Sequence, residues 1–433
     1  MIKTFKKNNF SREKVFVFLQ FLLFVLFLYT DSNTYFSSHF LKTWLSVFIE
    51  LFLSFLFLLF YWRKVKFKSS EIIVVIFLVV SIVFSSLINF DSSFYSFFLS
   101  FTIINCFLFA NVFGKKKVIN YYCTFIFILC LYSLLFLGFC FLFPDFSQTI
   151  FSKFSIVNPS RFVEGELVMI NGFLSNVHIA KYSGIELRNY GPFSEPGKFQ
   201  FYIILAFIFE VFFIDRKKKY IRPFVYFITC LSTFSTTGIF LIFILLFMHL
   251  WKCKNDKRMW FTLLSLFAAT CLLLFVSNID FSLLFDNAIS KFTNGGDSFN
   301  SRYGSLIGNF YSFLEKPLFG WGYDGFLNNG AYFLNYTIDN TNTILSIFAI
   351  YGLSAGSIFL LLIFKFVGTL KINFMEKIIV FLVVFISTSN EYFVDSAILY
   401  LLFFSFVDFS LTAYKKGEFF AGNSSLERNA TAA

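Results

Sequence analysis

Charged residues are scarce in this sequence. They make up 14% of its 433 residues, while hydrophobic residues reach 58% and aromatic residues 23%. A soluble globular domain has about 25% charged residues, so the composition excludes that class. The mean hydropathy is +0.74. We therefore expect a helical membrane protein, with apolar runs that each cross a hydrocarbon layer about 30 Å thick.

Several chemical motifs are missing as well. The three histidines, at positions 39, 178 and 249, are far apart, and no Cys/His spacing predicts a metal site. There is no P-loop for direct use of ATP and no Gly-x-Ser-x-Gly nucleophile motif. The seven cysteines show no Cys-x-x-Cys spacing. The sequence thus predicts a protein with no metal, no cofactor and no disulfide framework.

Apolar runs recur along the whole chain. We predict an all-α, polytopic transmembrane bundle of about 12 spans, at residues 14–30, 44–62, 70–88, 94–113, 118–143, 199–214, 223–235, 237–250, 259–277, 343–364, 374–390 and 395–413. The net charge of +11 is concentrated in short basic connectors between spans. The positive-inside rule places these connectors and both termini in the cytoplasm. Their expected neighbours are anionic lipid headgroups, not nucleic acid.

Residues 223–250 decide this topology. As a single span, they would move the basic cluster at 252–258 to the outside. As two short helices that turn at residues 232–238, they keep the cluster inside. About 13 residues reach only about 20 Å in a helix. We therefore predict a re-entrant or strongly bent hairpin, whose free backbone groups face protein or a water-filled cavity.

Two long polar stretches interrupt the apolar pattern. Residues 144–198 form a first predicted periplasmic loop and residues 277–340 a second one. Residues 1–421 then make up one transmembrane unit that includes both loops. The polar residues 422–433 are predicted to be a disordered or vector-derived tail. Polar chemistry needs groups outside the hydrocarbon layer, so we expect the functional site in the two loops.

The first loop ends with a cation, a carboxylate and turn-forming residues directly before a span. Pro192 and Pro196 restrict the backbone there, and Gly191 permits a tight turn. This combination could hold Arg188 and Glu195 rigidly at the membrane surface. A solvated turn with charged ends is the alternative interpretation.

The second loop offers a further arginine, Arg302, whose planar fork suits phosphate or diphosphate oxygens. A Gly320-x-Gly322 pattern could allow a close backbone approach to such a group, although it lacks the context of a nucleotide fingerprint. Three aromatic residues fit either an interfacial belt or a surface that stacks on sugars: Phe319, Trp321 and Tyr323.

Carboxylates elsewhere in the chain allow two interpretations. Asp339 opens a span in the order Asp-Asn-Thr-Asn, where it could cap the helix or act as a base. Glu391 and Asp395 flank the last external turn and are predicted to be solvated. Glu50 lies inside a predicted span, where an ionisable group is a functional candidate, and a buried structural hydrogen bond is our preferred interpretation.

Four patterns occur in one order between about residues 185 and 410. They are Arg188-x-x-Gly191-x-Phe193-x-Glu195-Pro196, the Ser/Thr-rich turn from Ser232 to Gly238, Ser301-Arg302 followed by Pro317-Leu318-Phe319-Gly320-x-Gly322, and Asn342-x-Ile344-Leu345 through Tyr351-Gly352-Leu353. In this order they resemble a Wzy-type O-antigen or capsular polysaccharide polymerase, from the superfamily that includes the O-antigen ligases.

The resemblance implies a metal-independent glycosyltransferase of lipopolysaccharide or capsule biosynthesis. It would lie in the bacterial inner membrane with its active site facing the periplasm. An inverting transfer would move a growing glycan from undecaprenyl diphosphate onto a lipid-linked repeat unit. The partners implied are the undecaprenyl-diphosphate-linked oligosaccharide and membrane lipids, with a chain-length regulator as an optional further one.

The resemblance also implies roles for individual residues. Three arginines would bind the diphosphate: Arg188, Arg302 and Arg161, the last from an Arg161-x10-Gly172 pattern similar to an arginine motif of some polymerases. The catalytic base would be Glu195 or Asp339. Further substrate contacts are predicted at Tyr190, Tyr303 and Asn342.

Two alternatives remain at this point. An O-antigen ligase would carry a histidine close to the asparagine that begins the tenth span, whereas this chain has Asp339 to Asn342 there. A lipid-linked oligosaccharide flippase also has about twelve spans. Transporters place their sites near the midplane in broken helices, whereas the charge here is concentrated in external loops.

Overall fold

A computed structural model describes residues 21, 24–25, 31, 43–61, 67–151, 167–171, 175–180, 187–214, 220–252, 297–333 and 340–406. The described chain is mostly helical. Its helices before the first long loop are α1 (Thr43–Tyr61), α2 (Ser69–Ile88), α3 (Tyr95–Phe113) and α4 (Lys115–Leu142). Helix α5 (Pro144–Phe151) begins that loop, and α6 (Pro196–Phe212), α7 (Ile221–Ser232) and α8 (Thr236–Lys252) follow it.

The remaining helices belong to the second half of the chain. They are α9 (Asp297–Glu315), α10 (Tyr323–Phe333), α11 (Thr343–Gly368), α12 (Phe374–Ser389) and α13 (Ala397–Phe406). Within the described ranges, four helices are long and apolar enough to cross a membrane: Ser69–Ile88, Tyr95–Phe113, Lys116–Leu142 and Thr343–Gly368. These helices support a membrane protein. The prediction of twelve crossings stays a prediction.

The all-α prediction is wrong in the first loop, which contains a small antiparallel sheet. Its three strands, in the order β1 (Leu167–Asn171), β2 (Asn176–Ala180) and β3 (Leu187–Gly191), pair in sequence. The pairing shifts at a bulge between Asn176 and Val177. The sequence holds an unused hairpin signal here: two short runs with valine and isoleucine, at 167–171 and 176–180, and an Asn171-Gly172 pair at the end of the first.

Helix α6 forms the centre of the bundle and is buried on all sides, from Phe199 to Phe209. Because every face is buried, its sequence is nearly continuously apolar. Tyrosine hydroxyls connect its neighbours: Tyr122 donates to the Tyr202 carbonyl at 2.8 Å, and Tyr226 donates to the Cys123 carbonyl at 2.7 Å. These bonds fix α4 against α6 and α7, and thereby fix the position of the strand β3 that lies beside them.

The hairpin prediction for residues 223–250 is confirmed as a pair of helices. Helix α7 ends at Ser232 and α8 begins at Thr236. Phe234 turns the chain between them with a φ of 48°. Gly238 lies directly against the side chain of Gln200 from α6, so a side chain at 238 would have no room. The turn is therefore packed onto the start of the central helix.

Helix α11 is broken at Gly352, which has a φ of 79°. The segment 316–322 fills the break with backbone hydrogen bonds. The Leu353 N–H donates to the Pro317 carbonyl at 2.8 Å, and the Trp321 N–H donates to the Ala349 carbonyl at 2.9 Å. Gly320 also has a positive φ, of 68°, and lies against the Ile350 backbone. The Gly320-x-Gly322 pattern thus allows the backbone to approach helix α11 closely. This packing explains the two glycines without a bound phosphate.

Candidate functional site

Two arginines that are far apart in sequence lie at the same cavity, which has a volume of about 640 Å³. Arg188 comes from β3 and Arg302 from the first turns of α9. Among the other residues predicted to bind substrate, Tyr303 and Asn342 line the same cavity. The remaining lining residues are Phe234, Ser235, Thr236, Thr237, Leu306, Ile344, Leu345, Phe385, Ile386, Ser389 and Asn390.

Arg188 is anchored to the end of helix α7. Its Nε donates to the Thr233 carbonyl at 3.2 Å and its Nη2 to the Phe234 carbonyl at 3.4 Å. These carbonyls follow the last turn of α7, where no helical partner remains and where the helix dipole favours a cation. Burial lowers the pKa of the Arg188 guanidinium, but a guanidinium keeps its proton in proteins. The hairpin therefore holds a permanent positive charge at the cavity wall.

Arg302 is held from the other side of the cavity by a buried carboxyl group. Its Nη2 lies 3.7 Å from Oε1 of Glu391, in the turn between α12 and α13. Glu391 is only 3% exposed. The prediction that Glu391 is solvated is therefore wrong. The turn folds inward because the Thr343 hydroxyl, at the start of α11, donates to the Glu391 carbonyl and accepts from the Phe393 N–H at 2.8 Å.

Glu391 also shares a hydrogen bond with the side chain of Glu195. Glu195 is the N-cap residue of α6, but its side chain does not cap that helix. Gly197, in the first turn of α6, leaves the space that the Glu391 carboxyl group occupies. The pKa of Glu391 is raised to about 8, and burial is the largest cause. The negative charge of Glu195 raises this pKa by more than the positive charge of Arg302 lowers it. Burial and the Glu195 charge thus favour the protonated form of Glu391.

A network of amide and hydroxyl groups fixes α9 against the start of α11. The Asn309 side chain donates to Asn340 Oδ1 at 3.0 Å and to the Ser346 hydroxyl at 3.2 Å. Ser305 donates to the same Asn340 oxygen at 2.8 Å. Asn342 is the N-cap of α11, and its Oδ1 accepts from the Leu345 N–H at 2.9 Å. The network sets the position of Arg302, one turn earlier on α9.

The other predicted site residues have different outcomes. Tyr190 is two residues from Arg188 on β3, and burial raises the pKa of its hydroxyl. Glu195 does not line the cavity, and reaches it through Glu391 and Arg302. Arg161 and Asp339 lie outside the described residues, as does the side chain of Glu50. The proposed roles of Arg161 and Asp339 therefore stay predictions.

Two polar lining residues were not predicted from the sequence. Asn390 lines the cavity, and its Nδ2 is buried without a hydrogen-bond partner within the described part of the chain. A buried N–H donor without an acceptor destabilises the folded protein, so this amide group is suited to donate to an oxygen atom of a ligand. Ser389 precedes it in the same short turn. No spacing in the sequence distinguishes this turn from any other polar connector between apolar helices.

The charges around the cavity favour a dianion. Two guanidinium groups line it and no Asp or Glu is among its described lining residues, while the pKa of Glu391, which contacts Arg302, is raised by burial. A partly buried site strengthens such attraction because water screens it less. In the described ranges, no group of three His, Cys, Asp or Glu side chains is placed to hold a metal ion. The arrangement can bind a phosphate-type group directly through nitrogen donors.

Comparison of this chain with protein-family models, curated proteins and solved structures finds no match. The cavity and its charges are therefore the features of this chain that indicate a function.

Proposed function

We propose that this chain is a polysaccharide polymerase that uses a polyprenyl-diphosphate-linked donor, such as undecaprenyl diphosphate. The supporting observation is that Arg188 and Arg302 line one cavity from separate elements. A diphosphate carries charge on several oxygens and can engage two planar forks at once. The cavity lies beside the ends of apolar helices, where the head of a membrane-anchored lipid would be found.

The proposed reaction joins two lipid-linked glycans at the periplasmic face of the inner membrane. A sugar hydroxyl oxygen of the acceptor repeat unit attacks the anomeric carbon of the donor glycan. The bond from that carbon to the diphosphate oxygen breaks, and the lipid diphosphate leaves with the electron pair. Negative charge on the leaving group grows in the transition state, so fixed guanidinium groups lower the barrier. The hydroxyl proton passes to Glu195 or Asp339.

The protonated state of Glu391 supports the diphosphate role of Arg302. An ionised Glu391, 3.7 Å away, would neutralise the guanidinium and repel an incoming anion. Burial and the Glu195 charge favour the neutral form of Glu391, which leaves the positive charge of Arg302 uncompensated and available to a ligand. Glu391 then acts as a positioning residue that fixes the fork through a buried contact.

The test is lengthening of a lipid-linked repeat unit by the purified protein in liposomes. We expect Arg302→Ala to reduce lengthening by about 10²–10³-fold, the usual effect of removing one preorganised transition-state contact. Arg222→Ala is the matched control, because Arg222 pairs with the buried Glu210 at the same 3.7 Å, away from the cavity. Each variant loses one arginine contact with a buried carboxyl group, and we expect lengthening to persist in Arg222→Ala.

Two outcomes would contradict the proposal. If the Arg302→Ala variant lengthened repeat units as fully as the wild-type protein, Arg302 would have no role in binding the diphosphate. Failure of the wild-type protein to lengthen repeat units, with transfer to another acceptor, would indicate a ligase, since a ligase does not extend repeat units on their own.

A further inference from the structure

Helix α9 has its polarity reversed relative to a helix of a soluble protein. The buried face consists of small and polar residues: Ser305, Gly308, Asn309 and Ser312. The opposite face is apolar and lies at the surface. It consists of Tyr303, Leu306, Phe310 and Leu314, which are 43–59% exposed. We call these four residues the apolar stripe. Their spacing places them along one side of the helix.

The stripe begins at the cavity. Tyr303 and Leu306 are both lining residues of the cavity and members of the stripe. Arg302, which we assign to the diphosphate, is the residue directly before Tyr303. From Tyr303 to Leu314 the helix advances about 17 Å at 1.5 Å per residue. The anion-binding end and the apolar surface are therefore parts of one continuous helix face.

The stripe also continues towards a candidate membrane span. Beyond the end of α9, Leu318 and Phe319 are exposed apolar residues. The ring centroids of Phe319 and Phe84, which is in α2, are 5.4 Å apart in an edge-to-face arrangement. Phe84 belongs to an exposed apolar face of α2 that also carries Phe77 and Val80. Because α2 is long and apolar enough to cross a membrane, this face is suited to lipid.

We propose that the apolar stripe of α9 is the binding track for the hydrocarbon chain of the lipid-linked substrate, which is held at its head by Arg188 and Arg302. The inference rests on the proposed function and adds to it the surface of this chain that binds the lipid tail. An amphiphile with a dianionic head and a long apolar tail matches a surface that starts at two guanidinium groups and ends at a lipid-facing helix. Burial of the tail on exposed apolar side chains is favourable in proportion to the area covered.

The test uses a prenyl diphosphate with a benzophenone in its tail, added to the full-length protein in liposomes. We expect light-induced adducts in the segment 303–314 that excess unlabelled prenyl diphosphate prevents. The double variant Phe310→Gln with Leu314→Gln should lower this labelling about tenfold, because each glutamine replaces apolar contact area. The matched control is Leu327→Gln on α10, an equally exposed leucine outside the stripe.

A second measurement separates this inference from the proposed function. Inorganic diphosphate has no tail, so we expect the double variant to bind it as the wild-type protein does. The binding track is overturned, and the arginine site stands, if inorganic diphosphate binds but the adducts form outside α9. The same conclusion follows if adducts form in α9 and excess unlabelled prenyl diphosphate does not prevent them. If neither inorganic diphosphate nor the probe binds the wild-type protein, both the track and the proposed function are overturned.

Discussion

Glu391 shows how one residue links the electrostatics of the site to its stability. Its carboxyl group is buried between Arg302 and Glu195, with Lys198 and Arg188 also close enough to influence the charges there. Burial raises its pKa from an ordinary 4.5 to about 8. Folding therefore takes up a proton at Glu391 over this pH range.

The first prediction follows from the direction of that shift. Because the pKa is raised in the folded protein, the stabilising contribution is complete below pH 4.5 and is lost as the pH rises to about 8. The Glu391→Gln variant, which cannot ionise, should remove this part of the pH dependence. Thermal unfolding between pH 5 and 9 should show a smaller loss of Tm in the variant than in the wild-type protein. Glu210→Gln is the control, and parallel curves for wild type and Glu391→Gln would refute the assignment.

At this scale the sequence predicted residue types better than their surroundings. Arg188 and Arg302 were identified from their charge and position and Asn342 from the family resemblance, and all three line the cavity. Glu391 was expected in solvent because it lies in a short turn between apolar segments. Its burial depends on Gly197 and Thr343, which approach it only in the folded chain. Local patterns hold no information on such contacts.

Among the elements, helix α11 carries the most specific backbone requirement. At the break, Gly352 lies against the Leu318 backbone, and its φ of 79° is one that residues with a side chain rarely adopt. The sequence predicted this apolar span and its start, with Asp339 as the possible cap, whereas the observed N-cap is Asn342. It could not predict the break, because an isolated glycine inside an apolar helix is usually tolerated. The deciding partner, the segment 316–322, comes from a loop that was assigned to ligand binding instead.

We predict that Gly352→Ala destabilises the protein by about 1–3 kcal/mol or more, because it combines an unfavourable φ with a close backbone contact. Gly368→Ala, in the last turn of the same helix, is the matched control, since an added methyl group there meets nothing within 4 Å. Unfolding in denaturant, followed by tryptophan fluorescence, measures both. Equal stability of the two variants would show that the break is not held by this contact.

In the molecule as a whole, the described helices outside the two long loops coincide with predicted apolar runs, whereas α5, α9 and α10 lie in stretches that were predicted to be loops. An apolar run must be long enough to cross the hydrocarbon layer, and within that layer its backbone groups must bond to one another. Long apolar runs therefore predict helices well. The three-stranded sheet was missed because its strands are short and lie in a polar stretch. The meeting of β3, the α7–α8 turn and α9 at one cavity follows from packing between segments that are far apart in the chain, which one sequence does not reveal.

The central claim is that Arg188 and Arg302 form one binding site for a lipid diphosphate. The most direct test is titration calorimetry with a short prenyl diphosphate and with the matching prenyl alcohol, on the wild type, Arg188→Gln, Arg302→Gln and the double variant. Glutamine keeps a donor for the α7 carbonyls but removes the charge. We predict that each single change weakens diphosphate binding by about 10–100-fold, that the two effects are not additive, and that alcohol binding is unchanged. Diphosphate affinity that stays at the wild-type value in either variant would contradict the account.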